Sequence, residues 1–390
     1  MNPSPVARAD IDPLGSETIL GLLCDLIRIP SINPALGGEG ATGEGRIAAF
    51  AVGWLTEHGV PARLEEAAPG RPNAVGEVGA GDGATLVLCA HLDTVGVAGM
   101  SIPPYEPSVR EGRVYGRGAY DMKSGVAAVM CGAAALARER LQGKVLVALV
   151  ADEEYSSLGA ERFVGSHRAD GCILTEGSEG KLVLAHKGFV WVDVLTRGRA
   201  AHGSRWDLGK SAIGPMGRMA AALEAFDSDV LRRRTHPLVG PASMHCALIE
   251  GGVGISTYAP ECRLQIERRT LPGETPEQVT EEIRGIAREI DVEAEVTLRF
   301  HRPPLLTDRD AAVARCVREA ASAVVGTPPE EMGVGYWMDA AVFAGAGIPS
   351  VDYGPAGAGA HEAVEWVDLE SAVTCARVLH ESARRFLAQR

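Results

Sequence analysis

No stretch of this chain approaches the roughly 18 consecutive apolar residues that a membrane-spanning helix needs, so no membrane association is expected. Residues 1–20 also lack the apolar core of a secretory signal. No C-x-x-C pair occurs, and the 8 cysteines stand apart at 24, 89, 131, 172, 246, 262, 316 and 375. In a chain of 390 residues, thiols scattered in this way read as reduced and mostly buried rather than as a disulfide framework. A cytoplasmic location is therefore expected. A basic block is missing too, and with a formal net charge of -13 a nucleic-acid backbone would be repelled overall. No G-x-S-x-G elbow presents a serine nucleophile. The one G-x-G-x-x-G match, at 38–43, precedes every strand signal, so it does not open a helix after a first strand as a dinucleotide site would.

What remains is an ordinary folding composition, 46% hydrophobic and 23% charged, in a chain long enough for two domains. Helical periodicity marks 16–28 and 44–59. Short apolar runs at 84–90 (ATLVLCA), 145–151 (VLVALVA), 171–175 (GCILT) and 348–353 (IPSVDY) suit strands buried on both faces. A small-residue helix is expected at 123–139 and a final helix at 368–387. Continuous apolar strands alternating with helices predict an α/β fold, mostly parallel-stranded with helices on both faces. The middle reads differently: 189–196 (FVWVDVLT) alternates apolar and polar positions. Helices fit at 209–226 and 275–289, and strands at 243–250, 261–269 and 292–300. That order, β-α-β-β-α-β, predicts an inserted ferredoxin-like α+β domain. The expected boundaries are 186–301 for the insert, with 1–185 and 302–390 forming one discontinuous domain.

The chemistry-bearing residues follow the buried strands. His91 and Asp93 come after ATLVLCA, Asp152, Glu153 and Glu154 after VLVALVA, and Glu176 after GCILT. His361 follows IPSVDY through a glycine-rich loop. Ligands in open α/β sheets gather outside the carboxyl ends of the strands, and imidazole with carboxylate suits zinc. Asp121 stands in GRGAYDMKSG, a glycine-bearing turn ahead of a helix. Two histidines and three carboxylates give two ions three ligands each only if one carboxylate bridges. Asp121 is the candidate bridge, which implies ions about 3.5–4 Å apart. Asp93 is then expected to accept the other ring N–H of His91 and fix its tautomer. Glu153 is left to take a proton from the attacking water. One histidine or glutamate by itself reads more readily as a satisfied surface or core group; the argument rests on the convergence.

The segments AHLDTV, GRGAYDMKSG, ADEE, TEG, RAAHGSRWDLGKSAI, ERRTLPGE and GPAGAGAHEAVEWV occur in this order across roughly residues 85–370. Together they resemble the acetylornithine deacetylase and succinyl-diaminopimelate desuccinylase family of dinuclear zinc amidohydrolases and exopeptidases. The resemblance implies His91 and Glu176 on one zinc, Glu154 and His361 on the other, and Asp121 between them. It implies Glu153 as general base, Asp93 as the residue orienting His91, and a non-proline cis peptide after Asp121. On the inserted domain it implies that His202 reaches the scissile carbonyl and Arg269 binds the substrate carboxylate. Ser256 departs from the family, which often has asparagine there. Alternation alone places Arg268 on an apolar face and Arg269 on a polar one, without choosing between them.

The expected cofactor is thus two Zn2+ per chain, with Co2+ or Mn2+ as substitutes. The expected substrate is a small N-acyl amino acid or a dipeptide, and the expected assembly a homodimer through the insert. The same site would serve a dipeptidase or carboxypeptidase. A non-catalytic binding protein on a hydrolase fold is the reading from another class, although Glu153 and Asp121 are both present.

Overall fold

The computed structural model describes residues 12–36 and 41–388, so Gly38 and Gly40 of the glycine motif above lie outside the described residues. The chain divides into two compact units. The first comprises the chain through Leu184, Thr307–Met332 and everything from Met338 onward; the second comprises Ala185–Leu306 and Gly333–Trp337.

The first unit is built on a mixed sheet whose centre is parallel. Lys144–Val150 pairs in parallel with Thr85–His91, which pairs in parallel with Gly171–Leu174, which pairs in parallel with Ser350–Asp352. These are the four strands expected from the apolar runs. Their interior residues are almost wholly buried, as strands covered on both faces must be. Leu86, Leu88 and Ala90 join the main core with residues of the helices Ser16–Ile27, Ser124–Leu136, Ala312–Val325 and Leu369–Leu387. Two short helices, Leu158–Ser166 and Ala340–Gly345, stay outside that cluster and meet through Phe163 and Phe343, 5.7 Å between ring centroids. Because the four central strands run the same way, all four deliver the chain to one edge of the sheet. A hairpin, Ala62–Ala68 and Arg71–Gly79, extends the sheet antiparallel beyond Lys144–Val150. A smaller antiparallel sheet pairs Trp366–Asp368 with Arg113–Tyr115. It ties the segment after His361 to the segment before Asp121.

The second unit is a four-stranded antiparallel sheet in the order Ser243–Gly251, Glu261–Thr270, Gly188–Arg197, Glu295–Arg302. Helices Ile213–Asp229 and Pro276–Ile290 complete the β-α-β-β-α-β order. Val190, Val192 and Val194 alternate into a core with Met216, Met219, Leu223, Val279 and Ile283. Thr275 starts the second helix with a capping box to Gln278 and Pro276 at its first turn. The first helix begins later than its periodicity suggests. Lys210 is instead held in backbone pairing with Arg199, at 2.7 and 3.0 Å. Gly333–Trp337 returns to this unit, where the Trp337 indole donates to the Pro303 carbonyl at 3.0 Å. Among the described residues no helix is long and apolar enough to cross a membrane.

Candidate metal centre

The ends of the central strands and the segments that follow them carry the polar side chains of the site. His91 is the last residue of its strand. Glu153 and Glu154 follow Asp152, whose backbone is left-handed at φ 72. Glu176 follows Gly171–Leu174 by two residues. His361, also left-handed at φ 62, sits in the loop before Trp366–Asp368. Asp121 lies in the irregular turn Ala119–Lys123, with non-helical dihedrals at Asp121 and Met122 and a cis peptide between them. Gly118, at φ 78, lets that turn form; a Cβ there would meet Thr94 at 2.9 Å and Lys123 at 3.0 Å.

These side chains form two donor triads that share one residue. His91, Asp121 and Glu176 make the first, and Asp121, Glu154 and His361 the second. Within each, the donor atoms lie within 4.8 Å of one another. Asp121 divides its oxygens between them. Oδ1 is 3.1 Å from His91 Nε2, and Oδ2 is 3.1 Å from His361 Nε2. Glu176 Oε1 is 3.5 Å from His91 Nε2, and Glu154 Oε2 is 3.0 Å from His361 Nε2. Sequence reasoning proposed these five residues, and the fold brings them together.

The electrostatics ask for cations. Burial pushes the carboxyls of Glu153 and Glu176 well above the usual range, and neighbouring carboxylates push the same way against His91. Burial and then Asp121 raise Glu154 to about 7. Asp121 moves down: burial would raise it, but hydrogen bonds from His361 and His91 outweigh that. Burial would depress His91, yet Glu176, Asp121, Glu153 and Asp93 together hold it well above its normal value. Hydrogen bonds to Asp121 and Glu154 raise His361 to about 10. Glu154 Oε1 is buried with no hydrogen-bond partner among the described residues. Imidazole nitrogens, crowded carboxylates and an orphaned carboxylate oxygen are a donor set that fits divalent transition metals.

Asp93 meets His91 through its main chain more closely than through its side chain. Its carboxylate oxygen is 3.6 Å from His91 Nδ1, whereas its own backbone carbonyl lies 3.0 Å from that nitrogen. The carboxylate is engaged elsewhere, accepting from the N–H of Glu153 and of Glu154, both at 3.1 Å, and from Asn33 at 2.7 Å. Asp93 thus touches His91 through its main chain and the base-bearing loop through its side chain. Asn33 also donates to Asp152 at 3.0 Å. Sequence reading had not singled out Asn33, which lies 60 residues from Asp93 and carries no motif of its own.

His202 and Arg269 belong to the second unit. His202 is exposed, and its Nδ1 pairs with Ser204 Oγ at 2.8 Å. Its neighbour Gly203 donates to the Ser256 carbonyl at 2.7 Å. Arg268 is buried against Glu274. Arg269 is one-third exposed, donates to Glu267 at 2.8 Å, and lies over the Phe189 ring at 5.4 Å.

Comparison with known proteins places the chain in a family. Residues 87–385 match peptidase family M20/M25/M40. An acetylornithine deacetylase of Myxococcus xanthus is 32% identical over 324 residues, covering 80% of this chain and 83% of that protein. A succinyl-diaminopimelate desuccinylase of Xanthomonas campestris is 29% identical over 394 residues, covering 94% and 99%. The fold is that of the aminopeptidase PepT of Bacillus cereus, with a TM-score of 0.78 at 20% identity, covering 97% of this chain and 100% of that one. The chain therefore belongs to peptidase family M20/M25/M40 and is a metallo-hydrolase of that family.

Proposed function

We propose that this hydrolase cleaves the amide bond of a small N-acyl amino acid at a dinuclear zinc centre. The observation that carries the reading is the division of Asp121, one oxygen towards each histidine of two otherwise separate triads. His91 and Glu176 would hold one ion, Glu154 and His361 the other, and Asp121 both. Zinc is the metal that imidazole and carboxylate ligands most often take, with Co2+ or Mn2+ as substitutes. When bound, the ions polarise the amide carbonyl and acidify the attacking water. Glu153 takes the proton from that water and passes it to the leaving amine. Asp93 aims Glu153 by holding its backbone N–H. His202 donates to the carbonyl oxygen as it becomes negative, and Arg269 grips the α-carboxylate with its planar fork.

The deacylase reading draws support from the names of the two relatives, a deacetylase and a desuccinylase. We also infer a homodimer through the second unit, whose outer strand Ser243–Gly251 leaves Leu248 and Ile249 exposed. Zinc-loaded protein assayed on N-acetyl, N-succinyl and N-formyl amino acids and on dipeptides tests the substrate class. Turnover of an N-acyl amino acid is expected. Turnover of dipeptides alone would reassign the chain to an exopeptidase, and no turnover at full metal content would refute the proposed reaction.

A further inference from the structure

Three of the buried carboxyls around the donor triads hold the ligand-bearing loops by their backbone N–H groups. Asp93 holds Glu153 and Glu154. Asp352 accepts from the Glu176 N–H at 2.7 Å. Glu365, fully buried, accepts most of all. Its Oε1 receives the N–H of Tyr120 at 2.9 Å and of Asp121 at 3.0 Å. Its Oε2 receives the N–H of Gly118 at 2.9 Å and the Arg117 guanidinium at 2.8 Å.

We propose that Glu365 is the positioning residue for Asp121, setting through one side chain the geometry of both metal positions at once. The inference rests on the dinuclear reading above. Glu365 lies four residues after His361, and the two segments are joined further: Arg117 donates to the Glu362 carbonyl at 3.3 Å and Gly116 to the Glu365 carbonyl at 3.2 Å. One clamp therefore locks the loop carrying His361 to the turn carrying Asp121. Four donors converging on two oxygens need four acceptor sites, which only an ionised carboxylate offers. A glutamine of the same shape would turn its NH2 towards two donors. An aspartate would fall one methylene short of them. Asp352 differs in kind, because it holds the Glu176 N–H with one oxygen and asparagine could do the same.

The test is titration of metal-free wild type, Glu365→Gln and Asp352→Asn with Zn2+ alone against a chromophoric chelator. Thermal melting of each metal-free protein and the visible spectrum of its Co2+ form accompany the titration. Loss of an outer partner typically costs 10- to 100-fold in metal affinity. For Glu365→Gln at least about tenfold is expected on both ions together, with an altered Co2+ spectrum, because Asp121 serves both triads. Asp352→Asn should bind both ions nearly as wild type does. The proposal is overturned if Glu365→Gln melts lower yet binds both ions like wild type, if it weakens one ion alone, or if Asp352→Asn weakens both equally. Should Glu365→Gln not fold, Glu365→Asp is read by the same criteria. A wild type that binds fewer than two ions would overturn the dinuclear reading itself, a separate result.

Discussion

Metal binding to this protein should expel protons, in a number fixed by the site. In the metal-free protein His361 is raised to about 10 and His91 lies well above its normal value. At pH 7.5 the His361 imidazole therefore carries a proton, and Glu154, at about 7, is about one-quarter protonated; His91 and the Glu176 carboxyl are both shifted towards their protonated forms. Ligand histidines must be neutral and ligand carboxylates ionised. Filling both positions at pH 7.5 should thus release about one proton and a fraction from His361 and Glu154, with His91 and Glu176 adding to that number. The combined apparent affinity should rise at least about tenfold per pH unit from about 7.5 to 9, and the contribution of His361 should flatten above about 10 as it loses its proton unaided. Without metal the linkage runs the other way. A histidine whose folded value is raised stabilises the fold most below its unfolded value of about 6.5 and loses that contribution as pH rises through about 10. Calorimetric titration with Zn2+ in buffers of different ionisation enthalpy counts the protons directly. Uptake of two ions with no proton release at pH 7.5 would refute the assignment of His361 as a ligand.

Glu153→Gln should retain both ions by metal analysis while lowering kcat about 10²- to 10⁴-fold, whereas Glu154→Gln should lose occupancy; the reverse pattern would exchange base and ligand. Arg269→Lys keeps the charge but loses the fork, so kcat/KM should fall strongly for substrates with a free α-carboxylate and little for amide-capped analogues. Equal losses on the two would make Arg269 structural, as its bond to Glu267 would then suggest. Ile249→Lys places a charge on the outer strand Ser243–Gly251 and should turn a dimer into a monomer by light scattering; a wild type that is already monomeric would end the dimer proposal.

Three of the four central strands, Thr85–His91, Lys144–Val150 and Gly171–Leu174, were legible because each is largely an apolar run, the pattern demanded by helices on both sides; Ser350–Asp352, which reads SVD, is the more polar case. The hairpin beside them was not legible. Ala62–Ala68 reads ARLEEAA, helix-favouring residues on a half-exposed outer strand. Arg71–Gly79 contains proline, asparagine and two glycines, which mark turns in a sequence. Yet most of it is buried, because pairing on both sides and the Asn73 amide, bonded to the Gly159 carbonyl at 2.9 Å, satisfy it. The helix Ala312–Val325 also escaped notice. Its buried face consists of Val313, Ala314, Cys316, Val317, Ala320 and Ala321, mostly small residues whose apolar stripe is faint.

The donor residues were legible for a different reason. A metal ligand must be a particular side chain, and His91, Glu154 and Glu176 stand at or just past the carboxyl ends of parallel strands, so residue type and position coincide there. Residues that aim those ligands obey no such rule. Asp93, Asp352 and Glu365 accept from backbone N–H groups, which every residue except proline supplies, so their partners leave no trace in the sequence. Glu365 stands inside the GPAGAGAHEAVEWV segment that pointed to His361, yet nothing in that spacing connects it with Asp121, 244 residues away. Asp93 does meet His91, but two residues of separation suggested a side-chain contact, and the nearer atom is Asp93's own backbone carbonyl. Side-chain chemistry at such a centre can be read from a chain, whereas its geometry is set by main-chain hydrogen bonds that appear only once the loops meet.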